Sequence, residues 1–240
     1  MAAGRVLVAL TLLALWGTAE ARESITGVVI TNPVGAYMRY DVDVPVGGGF
    51  EVGLFDEFLF YSNTAGLKLG WATTPEWLRL TVDLGVDPGW FMKLAPDESY
   101  REEGERTFGV RYLVRPQLLI NIRSDQWWLY GRTTGVYRHR DFREADTFQG
   151  ISLGKEASIE QAYALMRRIG GTAPAAIWVY LEHTVGALRD FGTRPNRISA
   201  GVFTEEWPWS QVVLNLDLYY SFAASPLAGP GALFTWVAVW

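Results

Sequence analysis

The sequence predicts an all-β chain folded as an antiparallel up-and-down transmembrane barrel of about ten strands, with eight and twelve as the neighbouring counts. Three observations carry this expectation: hydropathy that alternates with period two over long segments, connections that are short and long in turn, and aromatic residues gathered beside the short ones. Period-two alternation gives each strand one apolar and one polar face. After the first 21 positions no run of about 18 apolar residues occurs, so helical membrane spans are excluded. With 240 residues the chain suits one domain, and a net charge of -5 argues against nucleic acid as a partner.

At the N-terminus, Met1 and Arg5 give a positive start, Val6 to Trp16 is apolar, and Ala19-Glu20-Ala21 is an A-x-A cleavage site. Residues 1–21 therefore read as a cleaved secretory signal peptide. At about 1.5 Å per residue this apolar run is too short to cross roughly 30 Å of hydrocarbon. There is no cysteine, hence no lipid anchor on a cysteine and no disulfide staple in the exported chain. Residues 22–34 are expected to form an N-terminal periplasmic segment and 35–240 the barrel.

Ten strands follow in order: 35–45, 57–73, 76–88, 105–123, 126–139, 148–169, 175–188, 196–206, 210–223 and 231–240. The clearest are those in which alternation is strict. Leu78, Leu80, Val82, Leu84 and Val86 oppose Arg79, Thr81 and Asp83, and Leu214, Leu216, Leu218, Tyr220 and Phe222 oppose Asn215, Asp217 and Ser221. A soluble β-sandwich can alternate in the same way with its apolar face inside, but 105–123 is long for a sandwich strand and suits a tilted membrane crossing. One segment is ambiguous. Ser158-Ile159-Glu160-Gln161 resembles a helix capping box, with Ile159, Ala162, Tyr163 and Met166 at helical spacing, yet Ile159, Tyr163, Leu165 and Ile169 also share one strand face. Strand and helix both stay open for 158–169, and both preserve the strand parity.

The last eight residues, Leu233 to Trp240, place Phe234, Trp236, Ala238 and Trp240 on one face. This ending resembles the C-terminal signal of bacterial outer-membrane β-barrels, a resemblance of class that matches no one family. It implies a place in the outer membrane of a Gram-negative bacterium and a porin-like barrel. The implied partners are outer-membrane lipid and lipopolysaccharide, and the barrel assembly machinery, engaged through the closing strand. Short connections at 73–76, 123–126, 170–174 and 206–209 then fall on the periplasmic side. The longer ones at 45–57, 88–105, 139–148, 188–196 and 223–231 fall outside. Trp71, Trp77, Trp127, Trp128, Trp207, Trp209 and Trp240 lie beside the periplasmic turns or at the terminus and read as an interfacial girdle.

Inward positions carry Arg39, Arg79, Arg111, Arg115, Arg132 and Arg197 against Asp83, Glu156, Glu160, Glu182 and Asp217. Such near balance points to paired charges bridging the lumen rather than to a pore selective for one sign. The expected role is a salt-bridged, largely plugged barrel that is non-enzymatic, acting as a structural component or a narrow solute passage. A rim hydrolase is the enzymatic alternative. His139 would be its base and Asp41 or Asp43 its carboxylate, in the manner of ten-stranded outer-membrane proteases of the omptin type; a solvated rim histidine is the plainer reading. A surface adhesin using the outer loops is the third. No nucleophile elbow, zinc motif or phosphate loop occurs, so neither metal nor cofactor is expected.

Overall fold

The computed structural model describes residues 21–31, 34–59, 62–87, 111–140, 147–148, 151–152, 156–171, 176–186, 197–204, 212–222 and 229–240. The expected signal peptide and the girdle candidates Trp207 and Trp209 lie outside the described residues. The strands are β1 (Arg22–Thr31), β2 (Val34–Gly47), β3 (Phe50–Leu59), β4 (Ser62–Ala72), β5 (Leu78–Asp87), β6 (Arg111–Arg123), β7 (Trp127–Arg140), β8 (Thr147–Phe148), β9 (Ile151–Ser152), β10 (Glu156–Gly170), β11 (Ile177–Gly186), β12 (Arg197–Thr204), β13 (Val212–Ser221) and β14 (Gly229–Val239). The short β8 and β9 pair with each other. All the others form one closed barrel of twelve strands, each antiparallel to its chain neighbours, and β1 closes the ring against β14. Stepping between hydrogen-bonded partners once round the ring returns to β1 about 16 residues from the start, which for twelve strands means a tilt of roughly 45° and a backbone diameter of about 25 Å.

The polarity is inside out relative to a soluble protein. On β13, Leu216 and Leu218 are 52% and 62% exposed on the outer surface, while Asp217 between them is 0% exposed on the inner one. A sandwich would bury the leucines; only hydrocarbon around the barrel makes this arrangement favourable. Closure also satisfies the backbone of every strand and leaves no sheet edge in lipid.

Twelve strands, rather than the ten favoured from sequence, arise from two strands that the sequence conceals. Residues 22–31 form β1 instead of a periplasmic segment. Both of its faces are apolar or small, with Val28 and Ile30 packing inward against Tyr219 and Leu233, so period-two polarity is lost. The expected outer loop 45–57 is a tight turn plus β3. Gly47, Gly48 and Gly49 take φ values of 100°, 64° and 81°, in the left-handed region open to glycine, and reverse the chain within a few residues. The expected strand 57–73 is accordingly the end of β3 followed by β4. The open question over 158–169 resolves as strand: β10 pairs continuously with β7 and, with one register shift, with β11.

The seam is latched at the end bearing the short turns, which is the periplasmic end. Glu23 and Trp240 exchange backbone hydrogen bonds of 3.0 Å in both directions. The Glu23 carboxylate also accepts the Trp240 indole N–H and the Tyr40 hydroxyl, each at 2.9 Å. One turn of register higher, the Trp236 indole lies across Gly27, where a Cβ would come within 1.8 Å of the ring. Any side chain there displaces the tryptophan. Gly27→Val is therefore expected to cost about 1–3 kcal/mol by overpacking. A urea titration of the protein refolded into lipid vesicles reads the loss, and an unchanged midpoint would show that the indole moves aside freely.

Candidate functional site: the charged lumen

Alternation aims one face of every strand at the lumen, and on β2 to β6 that face is ionic. Arg39 on β2 grips Asp41 with both arms of its guanidinium, the Nη2–Oδ1 distance being 2.7 Å, and reaches Asp83 on β5 at 2.7 Å. Glu57 on β3 accepts from Arg115 on β6 at 2.5 Å and from Arg39 at 3.5 Å, and Arg115 also meets Asp83 at 2.8 Å. The Arg39–Asp83 and Arg115–Glu57 bonds each span two intervening strands, so they cut across the lumen as chords rather than lining its wall. Phe55 fills the space between them, with the Arg39 guanidinium 4.5 Å from its ring centre. The Tyr37 hydroxyl caps Glu57 at 3.2 Å.

Towards the periplasm the lattice continues as a descending ladder. Lys68 on β4 bridges Asp43 at 2.6 Å and Asp41 at 3.3 Å. It reaches them over Gly53, where a Cβ would collide with the Asp43 carboxylate and the Val42 carbonyl, so glycine on β3 is what permits the contact. Arg79 then joins Glu51 at 2.5 Å and Glu76 at 2.6 Å beside a cavity of about 610 Å³ at the periplasmic mouth, lined in part by Arg22, Phe50 and Trp240.

The opposite wall carries a second, separate cluster. Arg197 on β12 is 0% exposed and holds Glu182 at 2.7 Å and Asp217 at 3.0 Å, with its guanidinium 4.9 Å above the Tyr219 ring. Arg132 on β7 meets Glu160 at 2.8 Å. Below this cluster aromatic side chains project into the lumen. Trp178 packs against Trp128 and Phe203, and the Arg123 guanidinium lies 4.9 Å and 5.0 Å from the two indoles. The Trp128 indole donates to the Asn121 side chain. Among the inward residues Trp178, Arg197 and Asp217 are fully buried, while Arg39, Lys68 and Arg115 keep 13–17% of their side-chain surface exposed.

The predicted site residues divide sharply. Arg39, Arg79, Asp83, Arg115, Arg132, Glu160, Glu182, Arg197 and Asp217 all project inward into these two clusters. Arg111 and Glu156 lie at the outer ends of β6 and β10, with their side chains outside the described residues. Asp41 and Asp43 are not at the outer rim. Because β3 intervenes between β2 and β4, β2 runs the other way and carries both into the periplasmic half, where Arg39 and Lys68 engage them. His139 stands near the outer end of β7, opposite Tyr112, so the geometry separates it from both proposed carboxylate partners. Among the described residues no group of three His, Cys, Asp or Glu is arranged to hold a metal.

Trp71, Trp127 and Trp240 sit at the periplasmic level of the outer surface and Trp77 is exposed in the turn between β4 and β5, whereas Trp128 departs from the expected girdle by facing the lumen. Consecutive strand residues face opposite ways, so Trp127 and Trp128 could not share a face. Missed from sequence were Glu51 and Glu57, hidden by the mistaken loop and strand bounds, together with Tyr37, which lies on an expected strand but carries no charge, and the Trp178–Phe203 stack.

No family model matches the chain, and no curated protein matches it in sequence. Solved structures do. LpxR from Salmonella typhimurium is 8% identical with a TM-score of 0.50, covering 91% of this chain and 99% of its own. A bacterial polysaccharide outer membrane secretin is 10% identical with a TM-score of 0.48, covering 92% and 97%. The NanC porin is 8% identical with a TM-score of 0.44, covering 90% and 98%. At such identities the likeness concerns fold alone. The closed antiparallel barrel and its apolar outer belt make the chain a bacterial outer-membrane β-barrel.

Proposed function

We propose that the protein is a non-enzymatic outer-membrane barrel whose lumen is plugged by its own paired side chains, leaving at most a narrow passage for small solutes. One observation carries this reading. Trp178, Arg197 and Asp217, all directed inward, are 0% exposed in a ring about 25 Å across, a width that would otherwise admit water. Ionic chords on one wall and an aromatic stopper on the other supply the filling. Its surroundings in this reading are outer-membrane lipid and lipopolysaccharide, with β14 engaging the assembly machinery. The vestibule at the periplasmic mouth then ends against the Lys68–Asp43 pair, so small ions meet a charged, occupied constriction.

Planar bilayer recordings test this. Single insertions of the unmutated protein are expected to give conductance far below that of a sixteen-stranded porin, which leaves an aqueous channel. Large, steady open currents would reject the plugged lumen.

A further inference from the structure

Some polar groups on the outer surface of the barrel are satisfied within the chain, and the exposed Tyr112, Tyr137 and Tyr220, which make no side-chain hydrogen bond among the described residues, stand near the outer strand ends; one unpaired patch lies deeper. Asp56 accepts from Asn63 at 2.6 Å, and Glu23 serves Tyr40 and Trp240. By contrast Thr133 on β7, Gln161 and Tyr163 on β10, and His183 on β11 make no side-chain hydrogen bond among the described residues. They are neighbours across the sheet, Gln161 opposite Thr133 and Tyr163 opposite His183. Gln161, Tyr163 and His183 are exposed on the face that also presents Ile159 and Leu165. On β7 the flanking outward residues are Gly131 and Gly135, which leave a shallow trough beside the polar groups.

Depth decides what can cover this patch. Arg167, six residues below Gln161 on β10, stacks over Trp127 at 5.3 Å and marks the periplasmic interface. At a tilt of about 45°, six residues raise Gln161 by roughly 14 Å, which is near the middle of an apolar band about 25 Å tall. Neither water nor a lipid headgroup reaches that level, and unpaired polar groups in hydrocarbon are costly. The occupant must bring hydrogen-bonding groups at the same depth.

We propose that the β7–β10–β11 wall is the face through which two copies of this chain pair in the membrane. A carboxamide, an imidazole and two hydroxyls hold donors and acceptors in one patch, so the surface is complementary to itself. A two-fold axis through Gln161 lets each copy answer the other, as isologous pairing requires. The glycine trough allows the two walls to approach closely, the role that small residues play at other membrane interfaces.

The absence of cysteine makes the test direct. Gln161→Cys and Met38→Cys are introduced separately. Met38 is also exposed, 49%, and lies on β2, six strands away and so on the opposite wall. Oxidised in lipid vesicles at low protein density, Gln161→Cys is expected to give a cross-linked dimer in roughly tenfold or greater excess over Met38→Cys. A Gln161→Leu, His183→Leu double variant, confirmed as folded by its gel shift on heating, is expected to run as a monomer in mild detergent where the unmutated protein runs as a dimer. Equal cross-linking from both cysteines, or an unmutated protein that stays monomeric at every protein-to-lipid ratio, overturns the proposal. Neither outcome bears on whether the lumen is plugged.

Discussion

Replacing Arg39 by alanine is expected to destabilise the barrel by about 3–5 kcal/mol and to raise its conductance. The magnitude follows from what is left behind rather than from what is lost. Arg39 is shared by Asp41, Asp83 and Glu57, three carboxylates whose side chains are 5–8% exposed, and removing the guanidinium strands buried negative charge. Arg115 still reaches Asp83 and Glu57, but Asp41 keeps only Lys68. Arg39→Lys should recover part of the stability and not all of it, because an ammonium cannot make the two-armed contact to Asp41 while also spanning to Asp83. An exposed cation provides the contrast. Arg167→Ala removes a guanidinium stacked on Trp127 at the surface and should cost no more than about 1 kcal/mol. Urea titrations in vesicles, with bilayer recordings of the same variants, measure both effects; equal losses at Arg39 and Arg167 would show that the chords bear no load.

The contrast between strict and blurred alternation explains how much of the molecule was legible in the sequence. On β5 and β13 most alternate residues are charged or polar, so the facing of Asp83, Arg79 and Asp217 could be read directly. On β1 and β3 it could not, because the lumen is not uniformly polar. Phe55 faces inward beneath two guanidinium groups, and Val28 and Ile30 face inward against Leu233, so both sides of these strands look apolar. Losing β3 then propagated. It reversed the direction assigned to β2, which moved Asp41 and Asp43 to the wrong end and created an apparent carboxylate partner for His139. The Gly47-Gly48-Gly49 turn carried the missing signal, since consecutive glycines suit a tight reversal between strands as well as a long loop. Trp128 illustrates a further limit: its composition suggests an interface and only parity with Trp127 reveals a lumen residue. The chords themselves join strands that are not sequence neighbours, and no single strand's pattern shows which acid meets which base.

Leu216→Arg is the variant expected to separate a lipid-facing belt from a merely exposed one. Leu216 lies midway along β13, 52% exposed, with Leu218 beside it on the same face. A guanidinium at the bilayer midplane should cost about 2–4 kcal/mol, whereas the same change at Ile177, at the periplasmic end of β11 and level with the Trp girdle, should cost roughly 0–1 kcal/mol because the side chain reaches the headgroups. Depth dependence is the discriminating feature. On a water-exposed surface both substitutions would fall within about 0.5 kcal/mol of neutral, since neither leucine nor isoleucine there is buried against protein. The two variants refolded into vesicles of the same lipid give the comparison by urea titration. A Leu216→Arg protein as stable as Ile177→Arg would mean that the apolar belt does not contact hydrocarbon, and with it the membrane-spanning orientation of every strand would fall.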